Sequence, residues 1–148
     1  MTPFLDTGFL VTLLVTTRGS ALAWQISSRC NGPLFMSHLQ RLQVENRLLR
    51  ETANADNAAL RAIAAGGLQR LHRYLDEMVF QPVSLDYEVA VHLATQWQKE
   101  LGTRTPSALL LLWPALAVTA GATHFLSFDP RPRKLAKAAG LKLLPEDL

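Results

Sequence analysis

Apolar and polar positions along the chain fall into short blocks whose period changes from two to about three and a half. Phe4-Leu5 ahead of Asp6 predicts a short apolar strand, and Thr7-Gly8 offers turn chemistry after it. From Phe9 the run FLVTLLV suits a strand or a buried helix, because periodicity does not separate the two over so few residues. Arg18-Gly19-Ser20 predicts a break and a helix cap, with Ala21 to Ser28 helical in composition. Asn31-Gly32-Pro33 predicts a turn, and Pro33 to Met36 a short strand. Ser37 can cap the next helix. Its Leu39, Leu42, Leu48 and Leu49 fit a helical repeat that runs through the alanine-rich stretch to Ala65, where Gly66-Gly67 ends or bends it.

In the second half, Leu68, Leu71 and Leu75 share one helical face, and Val79 to Val83, with Pro82 inside, predicts a short edge strand. Ser84 ahead of Tyr87-Glu88 predicts a capped helix that runs to Leu101 and stops at Gly102. Pro106 or Ser107 starts a leucine-rich helix ending near Gly121, with Trp113 and Pro114 expected to be exposed and Pro114 to kink it. The run THFLSF is apolar enough for an interior strand, with Asp129 at its carboxyl end. Arg131 to Ala139 predicts a basic helix stopped by Gly140, and Leu141 to Leu144 a last strand. Strands alternating with helices predict an α/β layered fold around a mostly parallel sheet.

Composition narrows the class. With 148 residues, the chain supports one domain over 1–148. It is 49% hydrophobic and 18% charged, below the roughly 25% charge usual for soluble domains, which excludes a mainly disordered chain. Cys30 stands alone, so no internal disulfide forms, as suits a reducing cytoplasmic setting. The apolar stretch after Phe4 lacks the basic start of a signal peptide, its first charged side chain being Asp6. Ala108 to Ala122 is 15 residues long and broken by Pro114, short of the roughly 20 that a bilayer span needs. No membrane association is expected.

Only twelve residues are Asp or Glu, against fifteen Lys and Arg. Two acids, Asp6 and Asp129, end apolar strands, and ligands collect at the carboxyl ends of parallel strands. A buried carboxylate is costly without a cation or hydrogen-bond donor. A shared divalent-metal site answers that need, and so does simple capping of the helix that follows each acid. The four histidines have no ligand spacing, and there is no Gly-rich phosphate loop and no nucleophile elbow.

The opening FLDTGFLVTLL, the middle LQVENRLLR and the closing ATHFLSFDPRPRKLAKAAGLKLL together resemble a PIN domain, and more narrowly the VapC toxins of type II toxin–antitoxin pairs. The resemblance runs from Phe4 to Leu144, and the closing segment is its most specific part. It implies a PIN-like three-layer α/β fold, a central mostly parallel sheet flanked by helices. It also implies a Mg²⁺-dependent ribonuclease, with Mn²⁺ able to substitute, neutralised by a VapB-like antitoxin and assembled as a homodimer through the helical pair from Ser37 to Met78. The acids it carries over as catalytic and metal-holding are Asp6, Glu45 and Asp129. With Asn46 as anchor, the family register places Gln43 where an acid is usual; Glu45 lies about 200° further around the helix. Glu45 is favoured as the carboxylate available, with Gln43 the neutral alternative. A fourth family acid is missing: no Asp or Glu stands between Glu100 and Asp129, where Ser107 or Leu110 takes its place. Arg131, Arg133, Lys134 and Lys137 are the candidates for gripping RNA phosphates. The alternative function is a catalytically degenerate PIN-fold module that binds antitoxin or RNA without cleaving it.

Overall fold

In chain order the elements are β1 (Pro3–Leu5), α1 (Thr7–Leu14), α2 (Ser20–Ser27), β2 (Leu34–Ser37), α3 (His38–Asn54) and α4 (Ala58–Asp76). There follow β3 (Phe80–Val83), α5 (Tyr87–Leu101), α6 (Ala108–Thr119), β4 (His124–Leu126), α7 (Pro130–Ala138) and β5 (Lys142–Leu144). The computed structural model describes residues 1–30, 32–54 and 56–147. They form two units, Met1–Asp6 with Ser84–Leu148, and Thr7–Val83. Every strand pairing is parallel, as expected, and the strands divide into a three-stranded sheet in the first unit and a two-stranded one in the second.

In the first unit the strand order is β1-β4-β5. The short apolar strand and the THFLSF run therefore lie side by side, Phe4 opposite Phe125 and Leu5 opposite Leu126. The Phe4 and Phe125 rings stack at 6.1 Å, and Trp113 of α6 closes on Phe4 at 6.5 Å. Trp113 and Pro114 are buried, not exposed as the sequence suggests. The sequence of α6, ALLLLWPALAVT, is apolar around its whole circumference, and such a helix has no solvent face to offer. Pro114 sits inside the helix with no N–H to return to Leu110, a cost of about 3 kcal/mol set against complete burial of Ala115, Leu116 and Ala117. The helix after Ser84 starts two residues later than that serine suggests, because the Asp86 carboxylate caps it by accepting from Val89 N–H at 3.1 Å.

In the second unit the ambiguous FLVTLLV run is helical, and Thr7-Gly8 belongs to that helix and not to a turn. Phe9, Leu10, Leu13 and Leu14 are fully covered. Donors from elsewhere serve the carbonyls at and just after the end of α1. Trp24 Nε1 donates to Leu13 at 3.1 Å, Arg70 donates to Leu14, and the Ser20 hydroxyl donates to Val15. Ser20 is thus spent on α1 and does not cap α2. Ser37 caps α3 as expected, in a reciprocal box: its hydroxyl accepts from Gln40 N–H at 3.3 Å and its own N–H donates to Gln40 Oε1 at 2.8 Å.

The long helical repeat breaks earlier than expected. Asn57 caps a new helix by accepting from Leu60 N–H at 2.8 Å, and α4 then runs straight through Gly66 and Gly67. Gly67 is the tight spot, since a Cβ there would lie 2.9 Å from Val15 and 3.1 Å from Leu48. The turn at Asn31 and the helical continuity through Ala55 lie outside the described residues. Trp24, Tyr74 and Phe80 pack edge-to-face in a row, at 5.6 and 5.7 Å.

Candidate active site

Asp6 follows β1 directly, and its backbone N–H donates to Leu126 at 3.0 Å, extending the β1–β4 ladder by one residue. That bond fixes the backbone of Asp6 against the end of β4. Its side chain is only 5% exposed. Ser127, fully buried at the end of β4, donates its hydroxyl to Asp6 Oδ2 and accepts Asp129 N–H at 3.0 Å. One hydroxyl therefore joins the two acids that end the adjacent strands. Ser127 is held in turn: its N–H donates to Leu144 at 3.2 Å, and its carbonyl accepts from Arg133 at 2.9 Å.

Asp129 is the N-cap of α7, accepting from Arg131 N–H at 2.9 Å, so the capping role and a place in the site coexist in one side chain. The Arg131 guanidinium also grips that carboxylate, Nε to Oδ1 at 3.0 Å and the terminal nitrogen to Oδ2 at 2.6 Å. The hydrogen bonds from Arg131 hold the Asp129 carboxyl below the usual carboxylate range, and Asp129 raises Arg131 in return. Arg133 is different in kind. It is buried and donates to the carbonyls of Ser127, Pro145 and Glu146. Burial lowers its pKa while the charge of Asp6 raises it. It is thus a structural anchor and does not face solvent to grip RNA, as the basic run suggests it would; Lys134 and Lys137 remain exposed on α7.

The other candidate residues lie on α3 in the second unit. Glu45 pairs with Arg41 at 2.9 Å one turn earlier and approaches His72 of α4 at 3.7 Å. Gln43, which its spacing from Glu45 places elsewhere on the helix circumference, accepts from the Thr7 hydroxyl at 2.8 Å. Thr7 is the residue that follows Asp6 in the chain. Neither this bond nor the role of Ser127 was foreseen. The pattern did carry a signal for Ser127, a polar residue set between the apolar Leu126 and Phe128. No local pattern marks the Thr7–Gln43 pair, which spans 36 positions.

Asp6, Asp129 and the Ser127 hydroxyl form an all-oxygen donor set, which suits a hard divalent cation. Among the described residues of this unit, no third acid, histidine or cysteine completes a metal-holding group. The donors fit such an ion in chemical type, and two carboxylates make the fit a weak one.

Parallel strands with helices between them are also found in a solved structure of similar fold. The fold is PIN-like. The chain resembles VapC20 of Mycobacterium tuberculosis, a toxin that cleaves the sarcin-ricin loop, with a TM-score of 0.63 at 17% identity. The likeness covers 90% of this chain and 95% of that one. No protein-family model matches the sequence. No curated protein matches it either. Among the described residues, no helix of this PIN-like chain is long and apolar enough to cross a membrane.

Proposed function

We propose that this chain is a VapC-like endoribonuclease toxin that hydrolyses RNA phosphodiesters with the help of Mg²⁺ or Mn²⁺. The observation that supports it most is the Asp6–Ser127–Asp129 linkage at the carboxyl ends of β1 and β4. Structured RNA is the proposed substrate class, since the structural neighbour is a toxin that cleaves an RNA loop. A VapB-like antitoxin, a homodimer and a cytoplasmic setting belong to the same proposal.

Asp6 and Asp129 would hold the cation, with Glu45 the further acid that the family resemblance implies. When bound, the cation supplies Lewis-acid stabilisation of charge developing on phosphate. The chain's own residues do the positioning. Ser127 fixes one oxygen of Asp6, and Arg133 fixes Ser127 through its carbonyl. Lys134 and Lys137 attract the phosphate backbone without reading sequence.

From α3, Glu45 is proposed as the acid, and it must leave Arg41 and His72 to serve. Gln43, at the family register, is the neutral alternative. Substitution separates them. If Glu45 serves, Glu45→Gln abolishes metal-dependent cleavage of a labelled structured RNA. If Gln43 holds the position, Glu45→Gln is harmless and Gln43→Glu speeds cleavage, because it adds the missing charge. Loss of activity in neither Glu45→Gln nor Gln43→Ala sinks both assignments.

The second reading, a binding module without catalysis, is favoured by the absence of any acid between Glu100 and Asp129 and by Arg131 on Asp129. RNA that binds and stays intact with both Mg²⁺ and Mn²⁺ would establish it.

A further inference from the structure

Two arginines, two residues apart on α7, meet the site in opposite ways. Arg133 is 6% exposed and tied to three backbone carbonyls, so it cannot leave without opening the fold. The side chain of Arg131 is 69% exposed, and the acid it pairs with is Asp129. Both oxygens of that carboxylate are engaged by the guanidinium, at 3.0 Å on Oδ1 and at 3.2 and 2.6 Å on Oδ2. This is the two-pronged geometry in which arginine matches a carboxylate best.

A divalent cation on Asp129 needs at least one of those lone pairs, and it cannot tolerate a guanidinium charge within hydrogen-bond distance of the same oxygens. Arg131 and the cation therefore compete. The competition is reversible, because an exposed guanidinium released from Asp129 is solvated at once. The helix cap does not take part: it is made by the Arg131 backbone N–H at 2.9 Å and survives loss of the side chain.

We propose that Arg131 is a built-in counter-ion that occupies Asp129 in the cation-free protein and is displaced when a divalent cation binds. It sets the cation concentration at which the site fills, and it keeps the half-buried acid compensated until then. This rests on the assignment of Asp6 and Asp129 as the metal-holding carboxylates.

The test is titration of Mn²⁺ alone into the full-length chain by calorimetry, without RNA. The wild type is compared with Arg131→Ala, Arg131→Gln and Arg131→Lys, each checked for fold by circular dichroism. Removing the charge is expected to tighten Mn²⁺ binding about three- to fivefold, the scale of one exposed ion pair. Arg131→Lys falls between, since it keeps the charge and loses the fork. A merely structural role would weaken binding or leave it unchanged. Equal or weaker binding by both the Ala and Gln variants overturns the counter-ion role and leaves the two-acid site standing. Tightening that persists in an Asp129→Asn background also overturns it, since the effect would then be general charge. No Mn²⁺ binding by any of these proteins overturns the site assignment and the counter-ion role together.

Discussion

Asp129 shows how one side chain can cap a helix and hold an ion pair at once. It caps α7 through Arg131 N–H and holds the Arg131 guanidinium with the same two oxygens. Because Arg131 lowers its pKa in the folded chain, the unfolded chain takes up that proton first as the pH falls. The stabilisation from this carboxylate is therefore present above the ordinary carboxylate range and lost as the pH drops through the depressed folded value. Arg131→Ala removes part of it. Urea unfolding at neutral pH should find the variant less stable than wild type, and the two should converge in strong acid. A gap that is unchanged in acid would mean that Arg131 acts on stability by some other route. Ser127 makes a similar point about legibility. Its position in THFLSF was plain in the sequence, but its task was not, because it depends on which strand lies beside β4.

At the scale of elements, short strands and the helices after Ser37 and Asp129 were legible because their caps and apolar runs are local. The errors share one cause, which is tertiary contact overriding local preference. Ser20 has the chemistry of a cap and serves the Val15 carbonyl just after α1 instead. Gly66-Gly67 has the look of a stop and lies inside α4, because a backbone must pass close to Val15 and Leu48 there. The two glycines consequently differ. Gly66 has open space around its missing Cβ, so Gly66→Ala should stabilise the chain by about 0.5–1 kcal/mol through helix preference. Gly67→Ala gains the same preference and loses about 1–3 kcal/mol to overpacking against Val15 and Leu48. Thermal or urea unfolding of the two variants should move in opposite directions. Equal stabilisation by both would refute the close approach at Gly67.

At the scale of the whole molecule, the fold was more legible than the site. Alternating strands and helices are written in the apolar pattern, and every pairing is parallel as that alternation requires. The positions of Asp6 and Asp129 after apolar runs were legible, and one buried hydroxyl bonds both the Asp6 carboxylate and the Asp129 N–H. The partners of Gln43 and Glu45 were not, because, Arg41 apart, they are set by tertiary contact and not by local pattern. Those partners are Thr7 for the first and Arg41 with His72 for the second. The candidate site has donors of the type that suits a hard cation and a small number of them.

The decisive measurement is RNA cleavage by the purified chain and by its Asp6→Asn variant, with Mg²⁺, Mn²⁺ or EDTA present. Asn keeps the size of the side chain and a carbonyl to accept from Ser127, so the fold survives and the charge is lost. The wild type should cut structured RNA with either metal and stop in EDTA. Asp6→Asn should lose at least the roughly hundredfold that follows from disturbing even an outer partner of a metal ligand. Cleavage that persists in a folded Asp6→Asn protein, or RNA left intact by the wild type with both metals, would contradict the assignment of this chain as a metal-assisted ribonuclease.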